Sequence, residues 1–501
     1  MSEPYYITTA ISYPNGPPHI GHAYEAIAAD AIARFQRSRG RDVRFQTGTD
    51  EHGLKMAQAA RAKGLEPRAF ADEMARLFQD MCDVLNISYD RFIRTSQPDH
   101  YRASQAIWTA MEEKGDLYLD RYEGWYSVRD EAYYEESELV EGEGGEKLSP
   151  QGTPVEWTVE ESWFFRLSRY QQPLLDHYAA NPAFIQPDSR RNEVVRFVEG
   201  GLKDLSISRT SFDWGVPVPG SGNHVMYVWL DALTNYITGL GYPDDTELWA
   251  RYWPANVHLI GKDVVRFHAV YWPAFLMSAG IALPKQVYGH GFLLSRGEKM
   301  SKSIGNVVDP MALADRFGVD ALRYFLLREV PFGQDGSYSA EAIVNRANAE
   351  LANSFGNLAQ RTLSMIYKNL DGVLPAAGDG AEDQALLGQV RKTANEEVPE
   401  AFERFAFSGG IEAWLRAVFA CNAYVDAQAP WALRKTDPER MAAVLGTLVV
   451  AVTELARAIA PIIPASAKKL LALIASGEGG APIPQPTPLF PRLELAEEEA
   501  A

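Results

Sequence analysis

The run YYITTAISYPNGPPHIGHAYEAIAADAIARF, residues 5–35, changes periodicity once, and that change decides the fold. Tyr5 to Ile11 are aromatic, β-branched or small, the composition of a buried strand. Tyr13 to Pro18 is a Pro/Gly turn. From His19 onward Ile20, Tyr24, Ile27, Ala31 and Phe35 recur at helical spacing, and Gly40 supplies a stop. A second short strand, Val43 to Thr47, then runs into Gly48-Thr49-Asp50-Glu51-His52-Gly53. Strand, helix, strand is the opening of a βαβ unit, so the chain begins as an α/β fold with a parallel sheet.

A strand that hands through a turn to a helix N-terminus makes an anion site, because unbonded N–H groups and the helix dipole face the ligand. His19 and His22 stand on that first turn, placed to donate hydrogen bonds to phosphate oxygens, or else to act as capping or solvated histidines. Gly21 between them costs helix stability relative to alanine and would admit a flat ring or a phosphate close to the backbone.

A second basic motif, GEKMSKSIGN at residues 297–306, lies far along the chain and again just after a strand. Lys299 and Lys302 in a glycine-flanked loop suit transient charge neutralisation on a triphosphate, the alternative being a solvated basic loop. Finding both motifs at strand ends of one α/β domain points to nucleotide chemistry.

Between the motifs, aromatics alternate with acids from Tyr118 to Trp163, which predicts a small antiparallel insertion with an acidic loop at 142–145. Val257 to Gly261 reads as a strand, Asp263 to Ala279 as a helix, and Gln286–Gly289 and Gly291–Leu294 as strands before a polar loop over 295–306. Beyond Ser339 the pattern is helical. Leu351, Phe355, Leu358 and Thr362 form one stripe, and similar patterns continue to Leu473, which predicts a bundle. Pro482 to Ala501 reads as an extended strap with a frayed acidic end, and there is no internal repeat.

The bulk numbers exclude several classes. The chain has 501 residues, 46% hydrophobic and 23% charged, a globular profile of about three domains. A net charge of −18 argues against gripping nucleic acid by bulk electrostatics and leaves room for local basic patches. Two cysteines far apart, Cys82 and Cys421, encode neither a disulfide framework nor a thiolate metal site. No apolar run of membrane-spanning length is expected, and the first residues lack a signal peptide's pattern, so the expected location is the cytoplasm.

His19-Ile20-Gly21-His22 with Lys299-Met300-Ser301-Lys302-Ser303 resembles the paired motifs of class I aminoacyl-tRNA synthetases. More narrowly, residues 10–16, 48–53, 228–232 and 261–263 resemble the methionyl-tRNA synthetase family, over nearly the whole chain. The resemblance implies a Rossmann-like catalytic domain in two halves, 1–116 and 226–338, split by a connective insertion at 117–225. An α-helical anticodon-binding bundle at 339–480 and an extended tail at 481–501 would follow. It also implies activation of L-methionine by ATP with Mg²⁺, then transfer to tRNA(Met).

Carried onto this chain, the resemblance assigns ATP contacts to His19, Gly21, His22, Glu25, Gly261, Asp263 and Leu293, with Lys299 and Lys302 holding the pyrophosphate portion. Asp50 would receive the α-ammonium, a charge-assisted bond, while Glu51 and His52 beside it are expected to be solvated. Ile11, Tyr13, Trp229, Ala232, Tyr236, Val264, His268 and Trp272 would line the thioether pocket. Sulfur makes favourable contacts with aromatic edges, and the competing reading is an ordinary aromatic core. Asn357, Arg361 and Trp431 would read the anticodon by hydrogen bonding and stacking, against a reading as surface and packing residues.

Leu233 stands where many relatives have proline. Ser127, Asp130 and Ser149 stand where many relatives have cysteines of a zinc knuckle, so no structural zinc is expected. The interval from Glu51 to Trp229 is too short for the editing insertion of the valine, leucine and isoleucine enzymes, and the cysteine enzyme's zinc thiolates are missing. A small AMP-transferring nucleotidyltransferase would not need the helical domain, and a non-catalytic tRNA-binding homologue would not need both phosphate motifs. With no appended oligonucleotide-binding module recognised, a monomer with no membrane partner is expected.

Overall fold

The computed structural model describes residues 2–495 apart from 131, 143, 245, 296–297 and 300–306. Two compact units are present. One comprises Met1–Ala29, Gly40–Asp83 and Ile87–His290, and the other comprises Gly291–Ala501 with Asp30–Arg39 and Val84–Asn86.

The first unit is built on a six-stranded sheet. Its order is Arg91–Arg94, Asp42–Thr49, Pro4–Thr9, Val257–Gly261, Val287–His290 and Ile185–Gln186, and every neighbouring pair is parallel. Tyr5 to Thr9 are all buried, as an apolar run in a doubly covered parallel strand should be. Ile7 pairs with Phe45 on one side and Val257 on the other. Helix Ile20–Ser38 follows the first strand, and the five positions of the expected stripe are all buried. Gly40, at φ 81°, ends it in a left-handed conformation that suits glycine.

The chain leaves Pro4–Thr9 towards Asp42–Thr49 on one side and returns at Val257–Gly261 on the other. That reversal is the topological switch point, where ligands bind beyond the carboxyl ends of the strands. His19 follows Pro4–Thr9, Asp50 follows Asp42–Thr49 and Gly261 closes Val257–Gly261, so the sheet delivers all three to this end. The core beneath gathers Trp108, Phe165, Tyr178, Tyr236, Trp272 and Phe275.

The expected antiparallel insertion is a four-stranded sheet ordered Leu205–Ser206, Glu156–Phe165, Leu117–Ser127, Ala132–Tyr134. The same stretch of chain also returns Ile185–Gln186 to the edge of the parallel sheet. Such two-residue strands carry no periodicity for a sequence reading to detect. Asp263 to Ala279 is not one regular helix. It runs as a tight turn at Lys262–Val264, a wide π-type turn at Phe267–Tyr271 and an α-helix at Trp272–Ser278. Wide turns of this kind cluster at functional sites because they re-aim side chains.

In the second unit, Leu293–Ser295 pairs antiparallel with Glu298–Lys299 and parallel with Gly336–Tyr338. The expected polar loop therefore starts as a hairpin. The helices include Asn357–Asn369, Ala381–Lys392, Phe407–Gln428, Pro438–Ile459 and Pro464–Ala475. Leu351, Phe355, Leu358 and Thr362 are buried, as their stripe predicts. Pro438–Ile459 is, against expectation, long and apolar enough by composition to cross a membrane. It is a bundle helix, burying Val444, Leu445, Leu448, Val452, Leu455 and Ile459, and Leu455 O accepts from Trp414 Nε1 at 2.9 Å. The strap is held at Leu493, whose N–H and C=O both bond the Asn348 side chain at 2.8 and 2.9 Å; its expected frayed end, 496–501, lies outside the described residues.

Candidate active site

The helix that opens at Ile20 begins with two imidazoles turned back on the backbone. His22 Nδ1 accepts the His19 backbone N–H at 3.0 Å, and His19 Nδ1 accepts the Gly21 N–H at 3.1 Å. The rings lie 3.8 Å apart. A neutral imidazole whose Nδ1 accepts carries its proton on Nε2, so the caps are also two Nε2–H donors at a helix N-terminus. The structure shows the capping reading, and the capped rings keep Nε2–H groups that the phosphate-binding reading would use. A Cβ on Gly21 would lie 2.9 Å from His19 Cε1, so the ring that comes close to this glycine is the protein's own.

One turn on, Glu25 Oε2 meets His290 Nε2 at 2.8 Å. Burial pushes the Glu25 carboxyl up from its ordinary value, opposed by His290 and by the Gly261 backbone N–H, with Asp263 adding to the rise. Three expected nucleotide-side positions, Glu25, Gly261 and Asp263, are therefore neighbours. Asp263 is exposed. His290 joins them unforeseen, since a single histidine closing a strand carries no pattern.

On the amino-acid side, Asp50 is 7% exposed, and its backbone N–H donates to Ser12 O at 2.9 Å, next to Ile11 and Tyr13. Trp229 lies flat on Phe267, ring centroids 3.8 Å apart at 5°. Tyr236 OH and His268 Nε2 are 2.5 Å apart, and His268 Nδ1 is 2.9 Å from Val264 O. A carbonyl only accepts, so Nδ1 carries the His268 proton and Nε2 accepts from the tyrosine. Burial holds the His268 imidazole down to about 4, against a weaker opposing pull from that carbonyl, so the ring is neutral near pH 7. Ala232 is buried on the same helix.

The expected set of Trp229, Tyr236, Val264, His268 and Trp272 is therefore brought together. Trp272 is fully enclosed and donates to His258 Nε2 at 3.3 Å, which also gives it the core role of the competing reading. His258 and Phe267 are members of this group that the sequence reading missed.

Glu51 and His52 are not solvated, which corrects the expectation for both. Glu51 is fully buried, bound bidentately by Arg94 at 2.7 and 3.0 Å and by Thr49 at 2.7 Å. His52 is 1% exposed and reaches Asp231 at 2.6 Å. Their partners come from distant segments, which local polarity could not reveal.

Leu293 is buried in the hairpin of the second unit, and Lys299 pairs with Leu294 across it. Lys302 lies outside the described residues. In the helical region Asn357 is exposed, and the Arg361 guanidinium sits over the Trp431 ring at 5.4 Å, with Asp426 at 3.8 Å. Trp431 is 48% exposed, too open for a packing tryptophan.

At the knuckle positions, Asp130 Oδ2 accepts from Ser149 at 2.5 Å, Thr153 at 2.7 Å and Tyr134 at 3.0 Å, while Ser127 and Thr153 hydroxyls lie 2.6 Å apart. One carboxylate among hydroxyls lacks the Cys/His donors of a structural zinc site and is satisfied by hydrogen bonds instead.

A switch-point helix capped by two imidazole donors, on a parallel sheet followed by a helical bundle, defines a class I aminoacyl-tRNA synthetase architecture. The family model described as tRNA synthetases class I (M) matches residues 5–363, and the anticodon binding domain of methionyl tRNA ligase matches 374–486. The chain is 59% identical over 513 aligned residues to the methionine–tRNA ligase of Brucella suis biovar 1 (strain 1330), covering 99% of both. The solved Mycobacterium tuberculosis methionyl-tRNA synthetase in complex with methionyl-adenylate superposes with a TM-score of 0.94 at 56% identity, over 98% of this chain and 100% of that one. Its apo form superposes at 0.86 with 51% identity, over 99% of each. This chain belongs to the methionine–tRNA ligase family.

Proposed function

We propose that this protein activates methionine with ATP and then charges tRNA(Met). In the first step the methionine carboxylate attacks the α-phosphorus, forming methionyl-adenylate and expelling pyrophosphate. In the second, a terminal ribose hydroxyl of the tRNA attacks the methionyl carbonyl and AMP leaves. ATP enters as its Mg²⁺ complex. Catalysis of this kind rests on positioning and on stabilising charge as it develops.

In this reading the His19 and His22 Nε2–H groups and the helix N-terminus hold phosphate oxygens. Glu25, Gly21, Gly261, Asp263 and Leu293 frame the nucleotide, and Lys299 and Lys302 take the charge of the departing pyrophosphate. Asp50 receives the α-ammonium. Ile11, Tyr13, Trp229, Ala232, Tyr236, Val264, His268 and Trp272 enclose the thioether, with His268 neutral so that no charge opposes an apolar side chain. Asn357, Arg361 and Trp431 receive the anticodon, a cation over an exposed indole being a ready stacking platform. The work divides as 1–116 with 226–338 for chemistry, 117–225 as insertion, 339–480 for tRNA and 481–501 as strap.

The observation that carries the proposal is the pair of backbone-anchored imidazoles at the switch point, which supplies two oriented donors for an anion. The test is single-turnover adenylate formation by Lys299→Ala, with methionine binding followed separately. Slow adenylate formation with intact methionine binding is expected. Equal loss of both would remove the role given to this lysine.

A further inference from the structure

His52, Asp231 and His100 form a buried chain that the chemistry above leaves unused. Asp231 Oδ2 meets His52 Nδ1 at 2.6 Å and Asp231 Oδ1 meets His100 Nε2 at 2.7 Å. A carboxylate only accepts, so both rings donate into it. None of the three is more than 1% exposed. Each ring is anchored again on its far side, His52 Nε2 on Tyr101 OH at 2.9 Å and His100 Nδ1 on Thr238 Oγ1 at 3.0 Å.

The ends of this chain belong to two different walls of the amino-acid site. His52 lies two residues after Asp50, in a loop whose backbone is itself pinned. Tyr13 OH donates to His52 O at 3.1 Å, and Trp214 Nε1 donates to Glu51 O at 2.6 Å. Asp231 lies on helix Val228–Thr238, which also carries Trp229, Ala232 and Tyr236. The His52 side chain thus joins the ammonium-binding loop to the helix of the thioether wall. Short charge-assisted bonds in a desolvated setting are stiff, so the two walls keep a fixed separation.

We propose that the His52–Asp231–His100 chain is a positioning device that sets the distance from the Asp50 carboxylate to the Trp229–Tyr236 wall, and hence the length of side chain the site accepts. The proposal rests on the methionine reading above. None of the three need touch substrate. An added or missing methylene is discriminated about 10- to 200-fold when a pocket wall is held in place, and that discrimination fades when the wall can move.

The test is amino-acid-dependent exchange of pyrophosphate into ATP by the full chain, with methionine, S-methylcysteine (one methylene shorter) and ethionine (one longer). His52→Ala is expected to raise the KM for methionine about tenfold or more and to reduce its preference over ethionine about tenfold, while the KM for ATP stays within about twofold. His52→Asn, whose amide can still donate to Asp231, should recover most of both. Tyr101→Phe removes only the outer hydroxyl and should move methionine KM and preference in the same direction by a smaller factor, with an unchanged far-UV circular dichroism spectrum as the check on folding. A lower melting temperature with unchanged methionine KM and unchanged preference in His52→Ala and Tyr101→Phe would overturn the proposal. If His52→Ala does not fold, Tyr101→Phe decides alone by the same two readouts. Absence of methionine-dependent exchange in the unmodified protein would instead remove the functional reading, and this inference with it.

Discussion

Replacing His22 by asparagine and by glutamine separates its two duties. Asparagine Oδ1 can stand where Nδ1 stands and keep accepting the His19 N–H, now bonded at 3.0 Å, but it offers no donor where Nε2–H points. Glutamine Nε2–H reaches towards the outer position and abandons the cap. Both lose the edge contact with Phe78 at 5.0 Å, so that loss cancels between them. A side-chain cap at a helix N-terminus contributes about 1 kcal/mol, so His22→Gln should be less stable than His22→Asn by about that amount in urea unfolding. One oriented donor to developing charge contributes roughly 3–4 kcal/mol, so His22→Asn should lose about 10²- to 10³-fold in methionine-dependent pyrophosphate exchange. His22→Gln should retain more activity despite being the less stable of the two. If His22→Asn exchanges at the unmodified rate, the imidazole is only a cap and the donor argument is wrong.

Three further outcomes follow from the geometry. His268 is held down to about 4 in the folded chain, so its contribution is fully present above its ordinary value of 6.5 and is lost as pH falls towards 4. Stability should drop by about 3 kcal/mol across that window, and His268→Gln should flatten the dependence of the urea midpoint on pH; an unchanged slope in the variant would assign the drop elsewhere. Arg94→Ala strands the buried Glu51 carboxylate and should cost about 3–5 kcal/mol in chemical denaturation, whereas a loss near that of a surface ion pair would contradict the buried network. Trp431→Ala should raise the KM for tRNA by roughly 5- to 150-fold while leaving pyrophosphate exchange untouched, the loss of one base-stacking platform; an equal effect on exchange would mean a folding defect.

Much of this was legible in the chain itself, because it was carried by local periodicity. The buried run from Tyr5 and the helical stripe from Ile20 announce the parallel sheet and its first crossover, and the stripe from Leu351 announces the bundle. The site was legible where residues are close in sequence, as with His19 and His22, or where a motif marks them, as with Asp50. What escaped was non-local. Glu51 and His52 read as solvated because their partners Arg94, Asp231 and Tyr101 arrive from other segments. His258 and His290 are lone histidines in strands, with no spacing to single them out. The wide turn at Phe267–Tyr271 falls just before Pro273, whose missing N–H cannot continue the regular ladder, and the reading of Asp263 to Ala279 as one helix runs through that proline. The strand Ile185–Gln186 is too short for any alternation to show.

The most direct measurement of the central claim is pyrophosphate exchange into ATP with Mg²⁺ across all twenty amino acids. Exchange driven by methionine alone is the predicted result, since it requires the phosphate site and the thioether pocket to work together. Exchange driven by a different amino acid would keep the class and reject the pocket built from Trp229, Tyr236 and His268. No exchange with any amino acid, from folded protein, would contradict the account at its root.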